Sequence, residues 1–182
     1  MNKKGFTLVE LLAVIVILAV IILIAITAVL PQMDKARRNS FADEVLSYAK
    51  GAETKFVTDS TGTSEVYTDA EYGKCYDIVG ADEKKVITGE YIAKKDDKYK
   101  GIIILKKKSA SSSLFEKYAF ITNGKYHYNS TTALSDIKDT KSSLGQINYE
   151  NILDGKSLTF ESCAEYCSAI KAEEGDTYEC NQ

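Results

Sequence analysis

In 182 residues the chain has no tryptophan, a single histidine (His127), a single proline (Pro31) and two methionines. With one imidazole there is little stock for general acid–base chemistry at neutral pH or for nitrogen ligation of a metal. The chain is therefore expected not to be an enzyme, and to need no cofactor and no metal. Glycine-rich phosphate loops, HExxH and GxSxG are all missing from the sequence. Excess positive charge is missing too. Lys and Arg number 23 against 26 Asp and Glu, a formal charge of -3. Too few cations are left over to neutralise many phosphates, so nucleic acid is not expected as an obligatory partner. Hydrophobic residues at 45% and charged residues at 27% exclude wholesale disorder and collagen-like composition. The length predicts one domain with at most a small second element.

Nearly all of the continuous apolar sequence lies near the N-terminus. Leu11 to Leu30 is a twenty-residue run in which only Thr27 has a polar side chain. As a helix it would measure roughly 30 Å, the thickness of a bilayer core. Lys3 and Lys4 precede it, so the charge bias of membrane segments places the N-terminus in the cytoplasm and everything after Leu30 outside. A secretory signal peptide has a shorter apolar region, about 7 to 15 residues, followed by a small-residue cleavage site. Ile26-Thr27-Ala28, the nearest candidate, lacks the small residue three places before the cut. A plain signal anchor fits the length. Neither alternative accounts for Glu10, a carboxylate at the head of an apolar helix, where burial in lipid is costly without a partner.

The segment Lys3-Lys4-Gly5-Phe6-Thr7-Leu8-Val9-Glu10, followed by the apolar run, resembles the class III signal of type IV pilins and of the related pseudopilins of type II secretion and competence systems. The features that carry the resemblance are a short basic leader, a Gly-Phe junction, a Glu four residues beyond the Phe, and the apolar stretch. It is strong only up to about residue 57. The resemblance implies cleavage between Gly5 and Phe6 by a prepilin peptidase on the cytoplasmic side, and N-methylation of the new amino group of Phe6. It also implies polymerisation through the N-terminal helix by a dedicated pilus assembly machinery. Glu10 would then neutralise the methylated ammonium of Phe6 on a neighbouring subunit inside a low-dielectric filament core. The implied partners are identical subunits in a helical filament, with the membrane as partner before assembly. A structural subunit of a type IV pilus, a major pilin, is the reading. A minor pilin or a pseudopilin is the alternative, and a membrane-anchored extracellular binding domain that never polymerises is the second. The expected organisation is a leader at 1–5, an apolar helix at 6–30, an amphipathic helix at 31–57 and a globular α+β head at 58–182.

Pro31 removes a backbone donor, so a kink or local melting is expected there. Beyond it, Met33, Phe41, Val45, Tyr48, Ala49, Ala52 and Phe56 recur at helical spacing among charged residues. Family likeness implies that this stripe lies on a sheet. Lys35, Arg37 and Arg38 read as a solvated helical face in preference to a lipid-headgroup contact. Residues 58–73 read as a loop. Tyr99 to Lys106, Tyr118 to Thr122 and Lys125 to Asn129 read as strands, with Asn123-Gly124 as a two-residue type I′ hairpin turn. That turn would set Ile121 opposite Tyr126 and Ala119 opposite Tyr128 on an apolar face covering the helix, and Phe120 opposite a half-exposed His127 on the other. Lys107 to Leu114, rich in serine, reads as a flexible connection, and the whole as a meander of three or four antiparallel strands. The stretches at Asp96-Asp97 and Asp136 to Ser143 lack the ligand spacing of a calcium loop and read as solvated.

Cys75, Cys163, Cys167 and Cys180 all fall beyond the apolar run, on the side where disulfides persist. Three connectivities are open. Phe160 to Ala172 reads as a short helix that places Cys163 and Cys167 on one face, a poor geometry for bonding to each other. One is expected to pair with Cys75 and the other with Cys180, resembling the stapled C-terminal region of many pilins. The rival is a four-cysteine zinc site, although its spacing is not the usual paired knuckle.

Overall fold

The computed structural model describes residues 6–60, 73–78, 98–108, 114–130, 133–138, 144 and 147–175. Helix α1 covers Leu8–Ser60. By its contacts the chain divides into two units, Met1–Arg37 and Arg38–Gln182, and each is treated by itself.

In the first unit the large apolar side chains from Phe6 to Leu30 are exposed, Phe6 at 84% and Leu23 at 69%. Among the described residues of this unit nothing covers them. The helix is long and apolar enough to cross a membrane. Helical conformation continues through Pro31, so the local melting expected there does not occur. A proline inside a helix costs one backbone hydrogen bond, and the strong helix formers around it keep the remaining ladder in place. Met33, expected on the buried stripe, is 44% exposed; the stripe begins at Phe41.

The second unit is an α+β fold of three layers. Among the described residues a five-stranded antiparallel sheet runs in the order β1 (Lys74–Asp77), β2 (Lys100–Lys107), β3 (Phe115–Thr122), β4 (Tyr126–Asn129), β5 (Leu153–Asp154). Period-two alternation sends side chains to opposite faces. Ile103 and Leu105 of β2 with Ala119 and Ile121 of β3 meet Phe41, Val45, Tyr48, Ala49, Ala52 and Phe56 of α1. Ile102 and Ile104 with Tyr118 and Phe120 face the opposite way, onto Leu134 and Ile137 of α2 (Leu134–Lys138) and Cys163, Tyr166 and Ile170 of α3 (Cys163–Glu174). A four-residue apolar run in β2 is what a strand covered on both faces requires. Aromatic pairs extend both layers: Phe41 and Tyr48 pack on Tyr99 with ring centres 6.1 and 5.6 Å away, and Phe120 meets Phe160 edge-on at 5.1 Å.

The α1-facing surface of the hairpin is as the alternation predicts, but its register is not. Ile121 pairs with Tyr128 and Thr122 with His127, two residues out of step with a two-residue turn. The cause is Asn123. Its side-chain Oδ1 accepts the N–H groups of Lys125 and Tyr126 at 3.0 and 2.9 Å, while its own N–H reaches the Tyr126 carbonyl, widening the turn around Gly124 at φ +85°. A slip of two keeps every side chain on its face. His127 is buried at 8% exposure, not half-exposed, because β5 pairs Leu153 alongside it. Strands β1 and β5, four and two residues long, raise the meander to five. Asp136, expected in a solvated loop, lies within α2. Asp96, Asp97 and the serine-rich stretch 109–113 lie outside the described residues.

Gly101, the second residue of the long strand β2, has φ +130°, and a Cβ there would collide with the Phe120 carbonyl oxygen. Gly101→Ala must push β2 off β3 or refold the backbone out of a region that L-residues avoid. It is expected to lower the stability of the second unit by about 3 kcal/mol or more, an effect of the size that backbone strain and lost packing produce together. Thermal unfolding followed by circular dichroism checks this; an unchanged midpoint would mean that the approach of the two strands is not as tight as observed.

Candidate functional site: the N-terminal signal and the disulfide-bonded unit

Gly5 lies outside the described residues. Phe6 and Thr7 precede the first helical residue, Leu8. The Thr7 hydroxyl accepts the Glu10 backbone N–H at 3.3 Å, and Glu10 Oε2 accepts the Thr7 backbone N–H at 2.9 Å. The same hydroxyl donates to Glu10 Oε2 at 2.8 Å, and the Leu11 N–H reaches the Thr7 carbonyl at 3.2 Å. This reciprocal arrangement is a capping box: it satisfies backbone donors that an α-helix leaves unpaired at its start. The negative charge also sits at the positive end of the helix dipole. Thr7 was not among the residues singled out from the sequence, although the spacing Thr7-x-x-Glu10 ahead of an apolar run is the signature of such a cap. Glu10 therefore has a partner within its own chain, and both bonds fall on Oε2 alone.

In the second unit, Cys75 of β1 is bonded to Cys163 at the start of α3, across 88 residues of sequence. Two of the four thiols are thus committed, which overturns the four-cysteine zinc alternative. Cys167 is also disulfide-bonded. Cys180 lies outside the described residues. Among the described residues no group of three or more His, Cys, Asp or Glu is placed to hold a metal ion. The start of α3 is held by three acceptors: Ser162 Oγ takes the Glu165 N–H at 3.2 Å, Glu165 Oε2 the Glu161 N–H at 2.7 Å, and Asp77 Oδ1 the Cys163 N–H at 2.9 Å.

Arg38 departs from the solvated face expected of the Lys35, Arg37, Arg38 cluster. Its guanidinium donates to the Ile152 carbonyl and to Asp154 Oδ2, the latter at 2.7 Å, and lies 5.2 Å from the centre of the Tyr126 ring. A planar fork can serve a carbonyl, a carboxylate and an aromatic face together. It ties α1 to β4 and β5. Lys35 and Arg37 remain exposed. Nδ1 of the buried His127 has no hydrogen-bond partner among the described residues, and a Cβ added at Gly155 would lie 4.0 Å from it.

Compared with known families, residues 1–26 match the model of the prokaryotic N-terminal methylation motif. Neither a curated protein nor a solved structure matches the chain. Residues 1–26 carry the class III signal of type IV pilins and pseudopilins. Joined to a disulfide-bonded α+β unit, that signal supports a type IV pilin-like or pseudopilin protein. The motif implies processing by prepilin peptidase and assembly into a pilus or pseudopilus. The apolar helix behind it fits membrane anchoring before assembly.

Proposed function

We propose that the chain is a structural subunit, a major pilin, of a type IV pilus. It is cut between Gly5 and Phe6, methylated on the amino group of Phe6, and polymerised with identical subunits into an extracellular filament. The subunit has no enzymatic activity of its own and takes no cofactor. The observation that carries this reading is Glu10: a carboxylate four residues beyond the expected cut, capping a helix whose apolar side chains as far as Leu30 are exposed. An apolar surface of that extent needs lipid or other copies of itself to cover it. In the membrane, lipid would do so. In the filament, neighbouring helices would, and the Phe6 ammonium of one subunit would meet the Glu10 carboxylate of another in a dry interior. Subunits would enter the membrane N-in and C-out. A minor pilin or pseudopilin would share the same N-terminal motif and differ in abundance in filaments sheared from the cell surface.

The test is mass spectrometry of the N-terminus of the membrane-extracted and sheared protein. The expected result is N-methyl-Phe6. An intact Met1, as a membrane-anchored domain that never polymerises would keep, or an N-terminus near Ala28 after signal-peptidase cleavage, would overturn the reading.

A further inference from the structure

We propose that Asp77 is the positioning residue that selects Cys163 as the partner of Cys75, by docking α3 on β1 while both thiols are still reduced. This is independent of polymerisation and holds for the folding of the second unit alone. Cys75 and Asp77 are two apart in β1 and so share one face of the sheet. On that face Cys75 packs against the apolar cluster that contains Phe160, Cys163, Tyr166 and Ile170. Burial of those side chains brings α3 to the sheet, but apolar contact has little directionality and does not by itself fix which turn of the helix lies over Cys75.

The ambiguity matters because Cys167 lies one helical turn beyond Cys163 on the same face. A shift of α3 along its axis by about 6 Å, four residues of helical rise, would exchange one thiol for the other. The Asp77 bond removes that freedom. Its acceptor is a carboxylate on β1, and its donor is the N–H of Cys163 itself, the first residue of α3 and one of the donors the helix cannot use internally. The bonds of Ser162 and Glu165 are local to the start of α3 and travel with it wherever it goes. The Asp77 bond alone among these spans the chain, from residue 77 to residue 163. It fixes the helix register relative to the strand, and a carboxylate at this end is further favoured by the helix dipole.

Closure then proceeds by exchange. One cysteine thiolate attacks glutathione disulfide, releasing one glutathione; the second attacks the mixed disulfide, releasing the other. The protein gives up two protons and two electrons to form the sulfur–sulfur bond, and the glutathione disulfide leaves as two thiols. Asp77 takes no part in these transfers. Its contribution is the local concentration of Cys163 at Cys75.

The experiment uses the full chain in detergent micelles, reduced and then equilibrated in buffers of varied reduced-to-oxidised glutathione ratio. Free thiols are alkylated and disulfide-linked peptides quantified by mass spectrometry. Asp77→Ala is expected to lower the effective concentration of Cys163 at Cys75 by about tenfold, the size expected for one hydrogen bond to a charged acceptor, and to let Cys75–Cys167 peptides appear. Asp77→Asn keeps an acceptor oxygen and should restore most of the native pairing. Ser162→Ala weakens the cap of α3 without touching the tether, so Cys75–Cys163 should remain dominant. Wild-type pairing and effective concentration in Asp77→Ala would overturn the proposal, as would equal mispairing in Ser162→Ala. So would an Asp77→Ala chain that has the Cys75–Cys163 bond but lacks native circular dichroism, since Asp77 would then be needed for the fold in general.

Discussion

Glu10→Ala is expected to leave membrane insertion and leader cleavage nearly intact and to reduce surface filaments by about a hundredfold or more, the effect of removing one partner from a buried ion pair. For a chain that only sits in the membrane the substitution is favourable, because an apolar helix loses its one carboxylate. For a polymer it is unfavourable, because the ammonium of a neighbouring Phe6 would be left without a countercharge in a dry interior. The two situations respond with opposite sign. The capping box adds a complication that Glu10→Gln resolves: glutamine can still accept the Thr7 N–H as the N3 partner of such a cap, but it carries no charge. If charge neutralisation drives assembly, Gln should fail almost as badly as Ala. If Gln restores filaments, the role of Glu10 is the local cap. Electron microscopy of sheared filaments, with an immunoblot for processed subunit, reads both outcomes, and normal filament numbers in both variants would remove Glu10 from the assembly step.

The second large effect is expected from Cys75→Ser with Cys163→Ser. The bond joins residues 88 apart, and closing a loop of that size stabilises by about 4 to 5 kcal/mol on the chain-entropy account. Domains of this size have total stabilities of about 5 to 15 kcal/mol, so the second unit should be close to its unfolding threshold at growth temperature. The strand β1 and helix α3 should loosen first, because among the described residues that bond and the Asp77 hydrogen bond are the directional links between them. A protease-sensitive second unit and a thermal midpoint lowered by roughly 10 °C or more would be measured, with N-terminal processing unaffected because Phe6 and Glu10 lie in the other unit. An unchanged midpoint would mean that packing alone holds α3 in place.

Much of the local organisation is legible in sequence because it depends on spacing alone. The apolar run, the stripe from Phe41 to Phe56 and the alternation in β2 and β3 each reflect a fixed period, and the structure buries the last two as that period requires. The class III signal is equally local: it is a set of residues at fixed offsets that an enzyme would read along the chain, and the family match confirms it at residues 1–26. Even the Thr7 cap, which was missed, was present as a spacing of three.

Other features depend on partners far apart in sequence. Arg38 reads as one more solvated charge until β5 places Asp154 and the Ile152 carbonyl beside it, more than a hundred residues on. His127 looks half-exposed on a hairpin and becomes buried once a strand of only two residues lies next to it. Such a strand has too few residues to show a period. The hairpin register escaped because an asparagine side chain can replace backbone turn bonds in more than one way, and nothing in the pair Asn123-Gly124 distinguishes them.

The sequence by itself determined the N-terminal signal, the apolar helix and the facing of the strands, since each is a one-dimensional pattern of residues within a few positions of one another. Only the tertiary structure decided that Cys75 meets Cys163, that Arg38 is an anchor and that the sheet has five strands. Those outcomes depend on which surfaces come together when β1 and β5 join the sheet and α3 covers one of its faces, and the free energy of that closure is shared among contacts no single segment contains.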